Sequence, residues 1–79
     1  MGVSVFELTM PRLSMAMTEG ELTEWLVPDG SEVTEGQPIY SIQSEKAVQE
    51  IESPTSGVLR HIGQIGQTYE VGVKIGEIV

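Results

Sequence analysis

The 79-residue chain contains no cysteine, so neither a disulfide nor a cysteine-ligated zinc site can reinforce its core. A chain this short builds one small domain, spanning residues 1–79, whose stability has to come from compact packing and short connections. Helix signals are nearly missing too. Nine glycines and four prolines punctuate the chain, and no window keeps apolar residues at three- and four-residue spacing. No apolar run approaches the roughly 20 residues that a membrane-crossing helix needs, and no basic-then-apolar leader opens the chain. Basic residues are scarce, four against twelve acidic ones, for a net charge of −8 at pH 7. Phosphate binding needs clustered Lys and Arg, so this balance argues against nucleic acid and anionic membrane as partners. It suits a solubilising acidic surface, or long-range steering toward a basic docking site on another protein. Only two lysines occur, Lys46 and Lys74.

What the chain does have is a succession of short runs bounded by Gly, Pro, Asp and Ser, the pattern of an all-β domain. Candidate strands are Val3–Met10, Glu21–Leu26, Glu32–Val33, Ile39–Gln43, Ala47–Glu52, Val58–Ile62, Thr68–Val71 and Ile75–Val79. Phe6, Leu8 and Met10 alternate, which predicts one buried face for the first strand. Leu22 and Trp25 break alternation in the second, which predicts a bulge, and Trp25 is expected in the core. Pro38 fits a strand start or an edge position. Asp29-Gly30 and Ser53-Pro54-Thr55-Ser56-Gly57 are turn signals.

The sequence also repeats. A shift of 36 residues places Leu26 on Ile62, Gly30 on Gly66, Val33 on Tyr69, Gly36 on Gly72, Ile39 on Ile75 and Ile42 on Ile78. A solenoid would need at least three copies. Two copies predict two similar four-stranded halves sharing one core, a flattened barrel or sandwich of two four-stranded antiparallel sheets with quasi-two-fold symmetry.

One stretch breaks the repeat: Ile42 to Pro54, apolar at both ends, polar and glycine-free in the middle, with Lys46 at its centre. Ser44 suits the first position of a type I turn, which puts Glu45 and Lys46 at the tip of a hairpin. Under the repeat, the second half reaches the chain terminus where the first reaches this hairpin. The hairpin and the termini are therefore expected at opposite ends of the domain. A lone lysine on a tight turn is an easy target for a modifying enzyme. Lone His61 reads as structural, since no base–nucleophile pair accompanies it, and Glu50 with Glu52 reads as a solvated strand face. No nucleophile, metal or phosphate-binding constellation marks an independent enzyme.

The pattern Gly20-x-Leu22-x-x-Trp25, Asp29-Gly30-x-x-Val33-x-x-Gly36-x-x-Ile39-x-x-Ile42, Ser44-Glu45-Lys46-Ala47, Glu50-Ile51-x-x-Pro54-x-x-Gly57 resembles the biotinyl/lipoyl carrier family, from about Phe6 to Ile78. The family fold is a flattened barrel of two four-stranded sheets. Biotin-carrying members usually flank the target lysine with methionines, and lipoate-carrying members with an acidic residue before and alanine after, as in Glu45-Lys46-Ala47. The resemblance thus implies a lipoyl domain with lipoic acid carried covalently on Lys46. The opening from Met10 to Gly20 is similar to the dihydrolipoamide acyltransferase component of pyruvate and acetoin dehydrogenase complexes, whereas 2-oxoglutarate and branched-chain types tend to differ there. Ser44-Glu45 stands for the commoner Thr-Asp, and Gln49 stands where the family usually has an apolar residue, which implies looser packing under the hairpin.

The implied role is a non-catalytic swinging-arm domain ferrying acyl groups between active sites. Its reach follows from about eleven bonds advancing roughly 1.25 Å each, ~14 Å from Cα to ring. The implied partners are a lipoate-attaching enzyme, the thiamine-diphosphate-dependent decarboxylase, the acyltransferase core and dihydrolipoamide dehydrogenase. Met15, Ala16, Met17, Thr18 and Glu19 are expected near Lys46 as a recognition segment, with Met15 and Met17 open between core filler and adaptable surface. The resemblance further implies a monomeric piece of a longer acyltransferase chain, in the bacterial cytoplasm or alternatively the mitochondrial matrix. Rival readings are a biotin carrier domain and an unmodified β-sandwich binding module.

Overall fold

The computed structural model describes residues 5–45 and 47–79; the tip residue Lys46 and the first four residues, Val3 among them, lie outside the described residues. Eight strands account for the regular structure of the described residues: β1 (Phe6–Thr9), β2 (Glu19–Trp25), β3 (Glu32–Val33), β4 (Pro38–Gln43), β5 (Val48–Glu52), β6 (Gly57–His61), β7 (Thr68–Glu70) and β8 (Lys74–Ile78). No helix occurs among the described residues. The strands form two open four-stranded antiparallel sheets, ordered β1-β8-β6-β3 and β5-β4-β2-β7, and the sandwich does not close into a barrel. Between them lie Leu8, Met10, Met17, Leu22, Val27, Val33, Ile39, Tyr40, Ile42, Leu59, Ile75 and Ile78, all buried.

The repeat is visible bond by bond. Leu26 N–H donates to Ile39 O at 2.9 Å and Ile62 N–H to Ile75 O at 3.1 Å. Ser31 N–H donates to Pro28 O and Gln67 N–H to Gln64 O, each at 3.2 Å. Gln37 N–H donates to Thr34 O at 3.0 Å and Val73 N–H to Glu70 O at 3.1 Å. The glycine before each of these last four donors has positive φ: 85° and 90° at Gly30 and Gly66, 89° and 94° at Gly36 and Gly72. A bond from residue four to residue one with glycine third at positive φ is a type II turn, a geometry that a Cβ disfavours. Ile39 and Ile75 are both fully buried, as are Ile42 and, within 2%, Ile78. The halves are not the sheets, however. Shifting by 36 residues carries β2, β3 and β4 of one half onto β6, β7 and β8, and each mate lies in the other sheet. The two halves interleave, and each sheet draws on both.

Some strand-level expectations hold and others need correction. Phe6 starts β1 but is 47% exposed, because it lies over the open side of the sandwich, while Leu8 and Met10 are buried as alternation requires. Met10 itself falls just past the strand. The predicted bulge in β2 is present as a register shift between Leu22 and Glu24. Pro38 begins β4, which is an inner strand, and a second register shift follows between Pro38 and Tyr40 where the missing N–H interrupts the ladder.

Trp25 is half-buried, not central. Its indole stacks on the His61 ring at 4.0 Å between centroids and 9° between planes. Trp25 Nε1–H donates to Gly63 O at 3.1 Å, and His61 Nε2 lies 2.8 Å from Val27 O. A carbonyl only accepts, so Nε2 carries the proton. The 36-residue shift exchanges these two rings and their two acceptors, so the stack sits on the pseudo-two-fold axis.

Candidate functional site

The hairpin between β4 and β5 is built by register. Gln43 pairs with Val48 as the last ladder step. Ser44 N–H then donates to Ala47 O at 2.8 Å, and the Ser44 hydroxyl leans on the same carbonyl at 3.4 Å. Only Glu45 and Lys46 remain between the closing pair. No described non-glycine residue has positive φ, so Glu45 does not adopt the first central position of a type I′ or II′ turn. That agrees with the glycine-free sequence. Glu45 and Ala47 are exposed, and the outermost placement expected of Lys46 falls outside the described residues.

Beside the hairpin runs an open groove. Ala16, Met17, Thr18 and Glu19 line it together with Glu45 and Ala47, which brings most of the predicted recognition segment to the β4–β5 hairpin. Met15 is not among the lining residues and stands 93% exposed. Met17 is 6% exposed, and its sulfur accepts the Leu13 N–H at 3.2 Å. The two methionines therefore divide the roles the sequence left open, one anchoring the segment and one presented to solvent. Two further bonds fasten the connection between β1 and β2 that carries the segment: Gly72 N–H to Met10 O at 2.9 Å and Val71 N–H to Thr18 O at 3.0 Å. Gln49 is exposed in the same groove, and Val48 beside it is 62% exposed, so little is packed under this part of β5.

Charge does not follow the backbone symmetry. Cross-strand pairing puts Glu21 beside Gln43 and Thr68, Glu24 beside Ser41, Ser41 beside Glu50, and Glu19 beside Glu70. Paired residues share a face, so these glutamates point outward from the β5-β4-β2-β7 sheet with no basic residue among them. On the other sheet the charges are mixed: Lys74 Nζ lies 3.5 Å from Glu7 and 4.0 Å from Glu77, and Arg60 pairs with Glu77 across β6 and β8. The β4–β5 hairpin caps the acidic sheet. Lys74, the second lysine, is held in a strand by two carboxylates. Among the described residues no His, Asp and Glu group is arranged to hold a metal ion.

Two features escaped the sequence reading. The Trp25–His61 stack was available in the repeat, since the same 36-residue shift pairs those positions. The buried ring of Tyr40 carried no such signal. Its phenol is pushed up to about 12 by burial.

A family model described as Biotin-requiring enzyme matches residues 6–78. The chain is 33% identical over 76 residues to the dihydrolipoyllysine-residue acetyltransferase component of the acetoin cleaving system of Pseudomonas putida, covering 95% of this chain and 20% of that protein. It is 37% identical over 81 residues to the corresponding component of the pyruvate dehydrogenase complex of Zymomonas mobilis, covering 92% and 18%. It is 34% identical over 77 residues to the lipoamide acyltransferase component of the branched-chain alpha-keto acid dehydrogenase complex of Bacillus subtilis, covering 96% and 18%. The chain thus spans about a fifth of the length of these relatives. Overall identity does not separate the branched-chain relative from the others.

Proposed function

Because the chain belongs to the biotinyl/lipoyl carrier family, we propose that Lys46 is its attachment residue, that the group attached is lipoyl, and that the domain is a swinging-arm acyl carrier. The observation that carries this reading is the hairpin itself. The Ser44–Ala47 closure leaves two residues between β4 and β5, one of them the lysine that the family motif addresses. Glu45 and Ala47, in place of flanking methionines, favour lipoyl over biotin. The site fits such a group: both flanking side chains are exposed, and a groove lies beside them.

When bound, a lipoyl group supplies a disulfide that takes up an acyl group together with reducing equivalents. The protein's part is position and recognition. The hairpin supplies the lysine between two exposed neighbours, and the Ala16–Glu19 segment, anchored by Met17, offers a second contact beside it. Conversion of the Lys46 amine to an amide removes one positive charge from a chain already at −8. The acidic outer face of the β5-β4-β2-β7 sheet then steers the loaded domain toward basic surfaces.

The relatives' names support a multienzyme complex as the setting, with the chain as the lipoyl domain of an acyltransferase component serving pyruvate or acetoin. The partners are then the lipoate-attaching enzyme, the thiamine-diphosphate-dependent decarboxylase, the acyltransferase core and dihydrolipoamide dehydrogenase. Intact mass of protein made in a host competent for both lipoylation and biotinylation tests the reading. A lipoyl increment supports it, whereas a biotinyl increment or an unmodified mass overturns it.

A further inference from the structure

Tyr40 is 2% exposed, and its ring lies between the sheets in the middle of β4. The other tyrosine, Tyr69, has its hydroxyl bonded to the Gln64 N–H at 2.8 Å. No side-chain hydrogen bond is made by the Tyr40 hydroxyl among the described residues. Yet no polar side-chain atom that is wholly sealed from solvent lacks a partner among them. The Tyr40 hydroxyl therefore keeps an outlet, and that outlet is a groove of about 190 Å³ walled by Phe6, Leu8, Ile51, Glu52 and Pro54.

The groove's place in the fold is informative. β1 and β5 are the outermost strands of their respective sheets, so among the described residues the groove runs between two sheet edges. Edge strands leave main-chain donors and acceptors unpaired, which suits a polypeptide occupant. The groove also uses the Glu52–Pro54 end of β5, remote from the Ser44–Ala47 closure. A partner seated there leaves the attachment hairpin free.

We propose that this groove is a docking slot for a lysine or arginine side chain of a partner protein. Four features select that chemistry. The phenol oxygen at the floor accepts a hydrogen bond from an ammonium or guanidinium. Glu52 at the rim is exposed and makes no ion pair among the described residues, while Glu7, also at the rim, is already held by Lys74. The exposed ring of Phe6, with Ile51 and Pro54, gives the methylene stem an apolar wall and the cation an aromatic face. A carboxylate or phosphate ligand would meet like charge at the rim. A purely apolar side chain would leave the hydroxyl desolvated and unpaired. The slot is independent of whether Lys46 carries a group.

The test is an amide-shift titration of the ¹⁵N-labelled chain with acetyl-Gly-Arg-Gly-amide and its lysine, norleucine and glutamate counterparts. The arginine and lysine peptides should move residues 6–9, 40 and 51–54, the norleucine peptide should bind roughly five-fold more weakly or worse, and the glutamate peptide should not bind. Tyr40→Phe keeps the ring and removes the oxygen. Glu52→Gln changes only an exposed side chain, so its spectrum stays native. Each should weaken the arginine peptide about three-fold or more. Basic-peptide shifts spread over the acidic sheet face, unchanged affinity in both variants, or no shifts at tens of millimolar peptide would each overturn the proposal.

Discussion

Met17→Ala separates the anchoring of the Met15–Glu19 segment, proposed for recognition, from its surface chemistry. Met17 is 6% exposed, its sulfur receives the Leu13 N–H at 3.2 Å, and its methyl carbon would lie 2.8 Å from a Cβ built on Gly20. Truncation to alanine removes that packing and leaves a cavity, a change that costs about 2–5 kcal/mol for a buried methionine. The low half of that range applies here, because flexible Met10 is a neighbour and can move into the space. A loss of ~2.5 kcal/mol in a domain of this size lowers Tm by roughly 10–20 °C. Met15→Ala is the internal control: at 93% exposure it should stay within about 0.5 kcal/mol of the parent. Urea unfolding followed by the fluorescence of the single tryptophan measures both, with thermal scans alongside. Equal stability of the two variants would refute the assignment of Met17 as anchor.

The surface role predicts the converse for kinetics: Met15→Ala should slow reductive acylation by the decarboxylase while leaving lipoylation intact, and equal loss of both activities would point to misfolding instead. Backbone symmetry predicts matched costs. Gly30→Ala and Gly66→Ala should each lose about 1–2 kcal/mol, since both positions have positive φ and neither added Cβ meets an atom within 4 Å. Denaturant midpoints that differ widely between them would break the equivalence. Alkaline stability should track Tyr40, whose pKa rises on folding from 10.0 to about 12. Its contribution is intact below pH 10 and is lost as pH rises through about 12, because the unfolded chain releases the proton first. The full loss is of order 2–3 kcal/mol. Tyr40→Phe should abolish that part of the pH dependence, and an unchanged alkaline slope would show that burial of this phenol is not its cause.

How much of this was legible in the sequence depends on how local each feature is. The four turn glycines were, because a type II turn is dictated by the sterics of one residue, and the repeat marked them in pairs. The buried isoleucines followed from the same register. The assignment of halves to sheets was not, since strand pairing between β3 and β6 or β2 and β7 joins distant segments and leaves no trace in spacing. Phe6 misled because alternation reports which face a side chain points from, not whether another strand covers it. Met15 and Met17 are alike in type and differ only in which reaches Met10 and Gly20. The hairpin's two-residue closure was readable from Ser44 onward, whereas the groove beside it needed the fold to bring Ala16 to Glu19 alongside. Tyr40 showed nothing locally, as the groove its ring lines is defined by two strand edges remote in sequence.

The central claim is that one lysine, fixed by its place in the hairpin, is the addressed site. Incubation with a lipoate ligase and lipoate, followed by intact mass and peptide mapping, tests it on three chains: the parent, Lys46→Ala, and the shifted pair Glu45→Lys with Lys46→Ala. A single lipoyl adduct on Lys46 is expected in the parent and none in the other two, although Lys74 is present in all three and is held by Glu7 and Glu77. An adduct on Lys74, or undiminished modification of the shifted lysine, would contradict the claim.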